Sequence, residues 1–143
     1  QDIALREKIM LGSMQAGLAF SNAILGAVHA MSHSLGGYLD LPDGMCNAAL
    51  VEHVVAFNYH SAPERFRMVA ETLGLDVRGL NHEQIRLRLI DHLIAFKQSV
   101  GFHDTLKLHG VRVADIPFLS RHAMEDPRAS SMRDVEVVYA EAL

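Results

Sequence analysis

The chain is short of the residues that fasten small proteins or bind polyanions. Cys46 is its single cysteine, so no disulfide can form within it, and a reducing, cytoplasmic setting is the expectation. Tryptophan is absent, and proline occurs four times. Lys and Arg number 13 against 17 Asp and Glu, a net charge of -4, so no basic surplus draws the chain to nucleic acid or an anionic membrane. Alternating apolar runs are missing as well; Val111-Arg112-Val113 is too short for a strand. None of the glycines opens a helix behind a predicted strand, which excludes a dinucleotide-binding βαβ unit within these residues.

Charge is also missing from Leu11 to Leu39. That run is long enough to span a membrane. Ser13, Gln15, Asn22, His29 and His33 interrupt it and Gly36-Gly37 breaks it, so two helices buried deep in a soluble protein are expected, with no membrane partner. Half of the 143 residues are hydrophobic, enough for one domain with a real core. The beginning, Gln1 to Lys8, is charged and helical in pattern and carries no signal peptide; as it does not start with Met, the chain reads as a fragment.

What is present is helical punctuation. The spacing predicts helices over Asp2 to Phe20 and Asn22 to Leu35, the second stopped by Gly36-Gly37. Leu41-Pro42-Asp43-Gly44 turns the chain into a third helix running to about Asn58. Ser61-Ala62-Pro63-Glu64 is read as a capping box, with Gly74 as the C-cap of the helix it opens and Phe66, Val69, Ala70 and Leu73 as its apolar stripe. Asn81 with Gln84 is a second capping pattern, ahead of Ile85, Leu89, His92 or Leu93, and Phe96. Gly101 to Pro117 is irregular, with an Asp115 cap. A last helix begins at Ser131 to Asp134 and turns Val135, Val138, Tyr139 and Ala142 inward.

Two histidines stand out of nine. His29 and His33 sit at i and i+4 within the uncharged run, so a helix raises both from one face. That is a common metal-ligand spacing, but spacing alone leaves it open, with hydrogen-bonded core histidines favoured. Asp43 is ordinary turn chemistry and also a competent oxygen ligand. Cys46, Met10, Met14, Met31 and Met45 are read as core filler, Phe20 and Phe57 as core. Glu52 and His53 are placed on the polar side of the third helix or in a local hydrogen bond. The remaining histidines, His122 among them, are read as surface or structural.

The run Gly12 to Ala48, G-S-M-Q-A-G-L-A-F-S-N-A-I-L-G-A-V-H-A-M-S-H-S-L-G-G-Y-L-D-L-P-D-G-M-C-N-A, resembles the iron-containing (group III) alcohol dehydrogenases. The resemblance continues through Val51 to Asn58, with an echo at Asp126-Pro127-Arg128 and at Tyr139 to Leu143. It covers the whole chain, but only the C-terminal half of such an enzyme. It implies an all-α, bundle-like domain over 1–143 of dehydroquinate synthase-like architecture, without the N-terminal dinucleotide-binding domain. The resemblance makes the parent an NAD(P)-dependent enzyme with Fe2+ or Zn2+ that interconverts a small alcohol and aldehyde; a homo-oligomer is expected. His29 falls on a metal ligand, His33 on the histidine linked to proton transfer, and Phe20 near the substrate pocket. In the family the metal favours the alkoxide and hydride passes to nicotinamide.

Three departures are visible. The family's second C-terminal metal histidine usually stands in L-P-H-G, where this sequence has Asp43. Several residues that usually precede the Asn-Pro-Arg, including a cysteine, are missing near Asp126. The dinucleotide-binding half is absent, so this chain alone should be inactive. A degenerate relative kept as an interaction or regulatory domain is the alternative, and a free-standing helical module with its own pocket is the third.

Overall fold

In the computed structural model, residues 2–127, 129 and 131–143 are described; Gln1, and Arg128 of the Asp126-Pro127-Arg128 echo, lie outside them. Seven α-helices and two short 3-10 turns make up the described elements, with no strand among them. The helices are α1 (Ile3–Ala23), α2 (Ala27–Leu39), α3 (Asp43–Asn58), α4 (Pro63–Thr72), α5 (His82–Ser99), α6 (Ile116–Ala123) and α7 (Met132–Glu141).

The hub is α3. Its apolar residues leave no polar side, and it packs on α2, α5 and α7 at once. The main core gathers Met31, Leu35, Cys46, Leu50, Leu106, Leu119, Val135 and Tyr139, all almost completely buried. A second cluster of Tyr59, Ala70, Val77, Ile85 and Leu89 joins α4 to α5. The Tyr139 hydroxyl donates to the Met31 carbonyl at 2.7 Å and so ties α7 to α2. Burial of that phenol pushes its pKa well above the ordinary tyrosine value.

The caps show which local signals won. Asn81 accepts from the Gln84 N–H while the Gln84 side chain accepts from the Asn81 N–H, both at 2.9 Å, the expected reciprocal box. Ser131 caps α7, and Gly74, at φ 82°, ends α4. Ser61 forms no box: it lies in the 3-10 turn Tyr59–Ser61, and Ala62 takes the N-cap position without a side-chain bond. Asp115 likewise makes no side-chain bond into α6, because its carboxylate is held by the Arg112 N–H and guanidinium.

Two boundaries in the uncharged run also differ from expectation. The first helix continues to Ala23 and breaks at Ile24, whose φ of 66° is left-handed. The second runs through Gly36-Gly37 and ends at Asp40, again left-handed at φ 54°. Two glycines weaken a helix by roughly 1 kcal/mol each, yet α2 is held by α3 and α6 on either side. Gly36 serves contact, since a Cβ there would come within 3.2 Å of the Leu41 carbonyl and 3.7 Å of Cys46 Sγ.

The expected deep burial fails for α1. None of its residues is buried, and it leaves the bundle at a 109° bend from α2. Met10, Met14 and Phe20 are therefore exposed rather than core, as is Phe57 on α3. No single helix among the described residues is long and apolar enough to cross a membrane; only the bent α1–α2 pair reaches that length and composition.

Candidate functional site

α2 presents His29 and His33 on successive turns. Their ring centroids lie 6.4 Å apart, edge to face at 80°. The rings are not sealed in the interior as their uncharged neighbours suggested: the His33 side chain is 45% exposed and His29 is half-buried. Leu35 and Met31, on the opposite side of α2, take the core positions instead.

The turn after α2 brings Asp43 back over this face. Pro42 fixes the entry to α3, Asp43 occupies the first turn, and the 36–43 approach is close because Gly36 has no side chain, leaving 3.5 Å between a built Cβ and Asp43 Oδ1. Asp43 Oδ2 stands 3.9 Å from His33 Nε2, with its side chain 66% exposed. On the other edge of the ring, His33 Nδ1 is 3.6 Å from Oδ2 of Asp126, which follows α6. The His33 imidazole thus lies between two carboxylates from separate elements. Cys46, one turn into α3, is buried; desolvation and then the Asp43 charge raise its thiol pKa, which argues against a nucleophile.

Phe20 lies on α1, 48% exposed. It is not among the residues around the cavity that adjoins His33, which lies between α2 and α6 and is bounded by His33, Ser34, Gly37, Tyr38, Phe118 and His122. His122, expected to be surface or structural, is 44% exposed and also borders this cavity. Its i, i+4 partner Phe118, with ring centroids at 4.4 Å, is the signal that would have placed both on one face of α6.

Glu52 also corrects expectation. It is 9% exposed, and Oε1 meets Lys97 Nζ at 2.5 Å while the same ammonium donates to the Ala48 carbonyl at 2.7 Å. His53 lies 3.7 Å from the same carboxylate oxygen, and burial holds its pKa below the ordinary histidine value. Glu52 has no open polar side to face, because Lys97 of α5 lies over it.

Imidazole and carboxylate are suitable donors for Fe2+ or Zn2+. Among the described residues, however, no three His, Cys, Asp or Glu side chains come together to hold a metal ion. His29, His33 and Asp43 form an edge and not a closed shell, so this chain does not fit a metal by itself.

The whole chain, residues 1–143, matches the family described as Fe-containing alcohol dehydrogenase, C-terminal. It is 33% identical to 1,3-propanediol dehydrogenase of Klebsiella pneumoniae, over 99% of this chain and 38% of that protein. It is 36% identical to NAD-dependent methanol dehydrogenase of Bacillus methanolicus, over 100% of this chain and 39% of that protein. The crystal structure of a 1,3-propanediol oxidoreductase superposes with a TM-score of 0.93 at 32% identity, covering 100% of this chain and 39% of that one. The chain belongs to the iron-containing alcohol dehydrogenase family and has its all-helical C-terminal fold. It spans less than two fifths of the length of these relatives.

Proposed function

We propose that this chain is the metal- and substrate-side helical domain of an NAD(P)-dependent alcohol dehydrogenase, which interconverts an alcohol and an aldehyde by hydride transfer. Family membership over residues 1–143 supports the reaction class, and one relative is an NAD-dependent methanol dehydrogenase. The single observation that carries the site reading is the His29–His33 pair on one face of α2 with Asp43 folded back over it.

His29 and Asp43 supply part of the donor set, and the segment outside these residues supplies the rest. When bound, Fe2+ or Zn2+ would polarise the alcohol oxygen and lower its pKa. His33 moves the proton. Asp43 lies 3.9 Å from one ring nitrogen and Asp126 3.6 Å from the other, so each nitrogen has an acidic neighbour to orient the ring. Phe20 contributes from α1 to the substrate side. NAD(P) is held mainly by the part of the enzyme that this chain lacks, and the assembled enzyme is a cytoplasmic homo-oligomer.

A second reading has its own observation. Asp43 stands where the family pattern has a histidine and its side chain is two-thirds exposed, as in a domain kept for interaction after its metal site lapsed. Metal analysis of the complete polypeptide separates the two. The dehydrogenase reading expects bound Fe2+ or Zn2+ that His29→Ala loses by about tenfold or more in affinity and Asp43→His keeps or strengthens. Equal metal content with and without His29 removes it from the site. Activity in neither the unsubstituted nor the Asp43→His form favours the second reading.

A further inference from the structure

Positions 29, 33 and 37 advance along one face of α2, about 6 Å at a time. Two carry imidazoles and the third carries no side chain. Gly37 lies inside the helix without a left-handed φ, so the backbone does not require glycine. A Cβ built there would meet nothing within 4 Å, unlike the crowded Gly36 beside it. The space left open is the α2–α6 cavity, about 330 Å³. Pockets for small organic ligands run from about 300 to 1,000 Å³, so this one suits a molecule of one ring or a short branched chain.

The cavity carries an imidazole on each helix: His33 on α2, with its two carboxylate neighbours, and His122 on α6, whose Nδ1 lies 3.6 Å from Glu125. The far wall is aromatic, with Tyr38 5.7 Å from Phe118 and Phe118 4.4 Å from His122 between ring centroids. The floor is set firmly, because the Ser34 hydroxyl donates to the Leu119 carbonyl at 2.7 Å and clamps α2 to α6. A ligand matching these walls places an oxygen at His33 and a flat body against Tyr38 and Phe118.

We propose that this cavity is the subsite for the body of the substrate. It receives the ring of an aryl-type primary alcohol or aldehyde whose oxygen lies at His29 and His33, and the missing side chain at position 37 sets how large that body can be. The inference rests on the dehydrogenase reading and narrows it to ring-bearing alcohols over two-carbon ones.

The test uses the complete polypeptide, unsubstituted and as Gly37→Leu, with benzyl alcohol and ethanol as substrates. Benzaldehyde binding is followed separately by NMR, through the ring resonance of His122. Gly37→Leu should lower kcat/KM for benzyl alcohol by about tenfold or more while ethanol changes less than about twofold, and should abolish the benzaldehyde-induced shift. Equal losses for the two alcohols, or an unchanged benzyl alcohol rate, overturn the subsite. If the unsubstituted polypeptide oxidises neither alcohol, the dehydrogenase reading fails on its own. The cavity is then judged by NMR alone: a benzaldehyde shift at His122 that Gly37→Leu removes upholds an aryl-binding cavity, and no shift overturns it.

Discussion

Glu52 and Lys97 form an ion pair that α3 and α5 close almost completely away from water, with Phe102 5.5 Å from the ammonium. Glu52 Oε2 is buried without a hydrogen bond, so the carboxylate depends on Lys97 for its compensation. Removing one member of such a pair strands the other charge. Lys97→Met should therefore cost about 3–5 kcal/mol in urea denaturation, and adding Glu52→Leu should recover most of it. A loss that the second substitution leaves unchanged would mean that the Lys97 stem matters by packing. His53 adds a pH dependence with a definite sign. Its pKa is lowered in the folded chain by burial first, the nearby Lys97 charge adding to this while Glu52 and Glu141 oppose it. The unfolded chain then binds more protons, so stability falls as pH drops from about 6.5 toward the folded pKa. His53→Gln should flatten that limb of a urea-midpoint profile, and a profile unchanged by the substitution would refute it.

At the scale of elements, α2 shows two adjacent glycines with opposite roles. Gly36→Val drives side-chain atoms toward the Leu41 carbonyl, and overpacking of this kind costs about 1–3 kcal/mol. Gly37→Ala meets open space and should gain roughly 0.5–1 kcal/mol through helix propensity. Thermal or chemical melts of the two variants give the comparison, and a stabilising Gly36→Val would contradict the packing role. The pair also shows where the sequence was legible. Local signals with one outcome, such as the Asn81–Gln84 box, Gly74 and the inward face of α7, read correctly. Gly36-Gly37 read as a stop because helix propensity is local, while the packing of α3 and α6 on α2 is not. The same limit hid Glu52, since α3 is covered on several sides and a polar position on it has no outside to point to. His29, His33 and Asp43 could be singled out as neighbours because i, i+4 spacing and a tight turn act over short range; the Phe118–His122 spacing sets one face of α6, but that this face meets α2 is decided by the tertiary fold.

At the scale of the molecule, α1 stands apart. Past Lys8 it carries no charge, and such a stretch is ordinarily buried, yet Ile9, Met10, Leu18 and the flanking Ile24 are exposed. The TM-score of 0.93 over the full chain means that α1 takes the same course in the 1,3-propanediol oxidoreductase, where the match accounts for 39% of the chain. The bare 143-residue chain should therefore self-associate with rising concentration in sedimentation velocity, and the substitutions Ile9→Glu and Leu18→Glu should reduce this association without loss of helicity. A monomer at all concentrations would show that α1 is content in water.

The Tyr139–Met31 bond spans 108 residues of sequence. On a ribosome adding about 5–20 residues per second, α2 waits for several seconds or more before the tyrosine that locks it has been made. The helix that carries both histidines is thus translated well before the residue that secures it, and an interruption of synthesis before Tyr139 would release a chain holding both imidazoles but not the bolt that sets their helix.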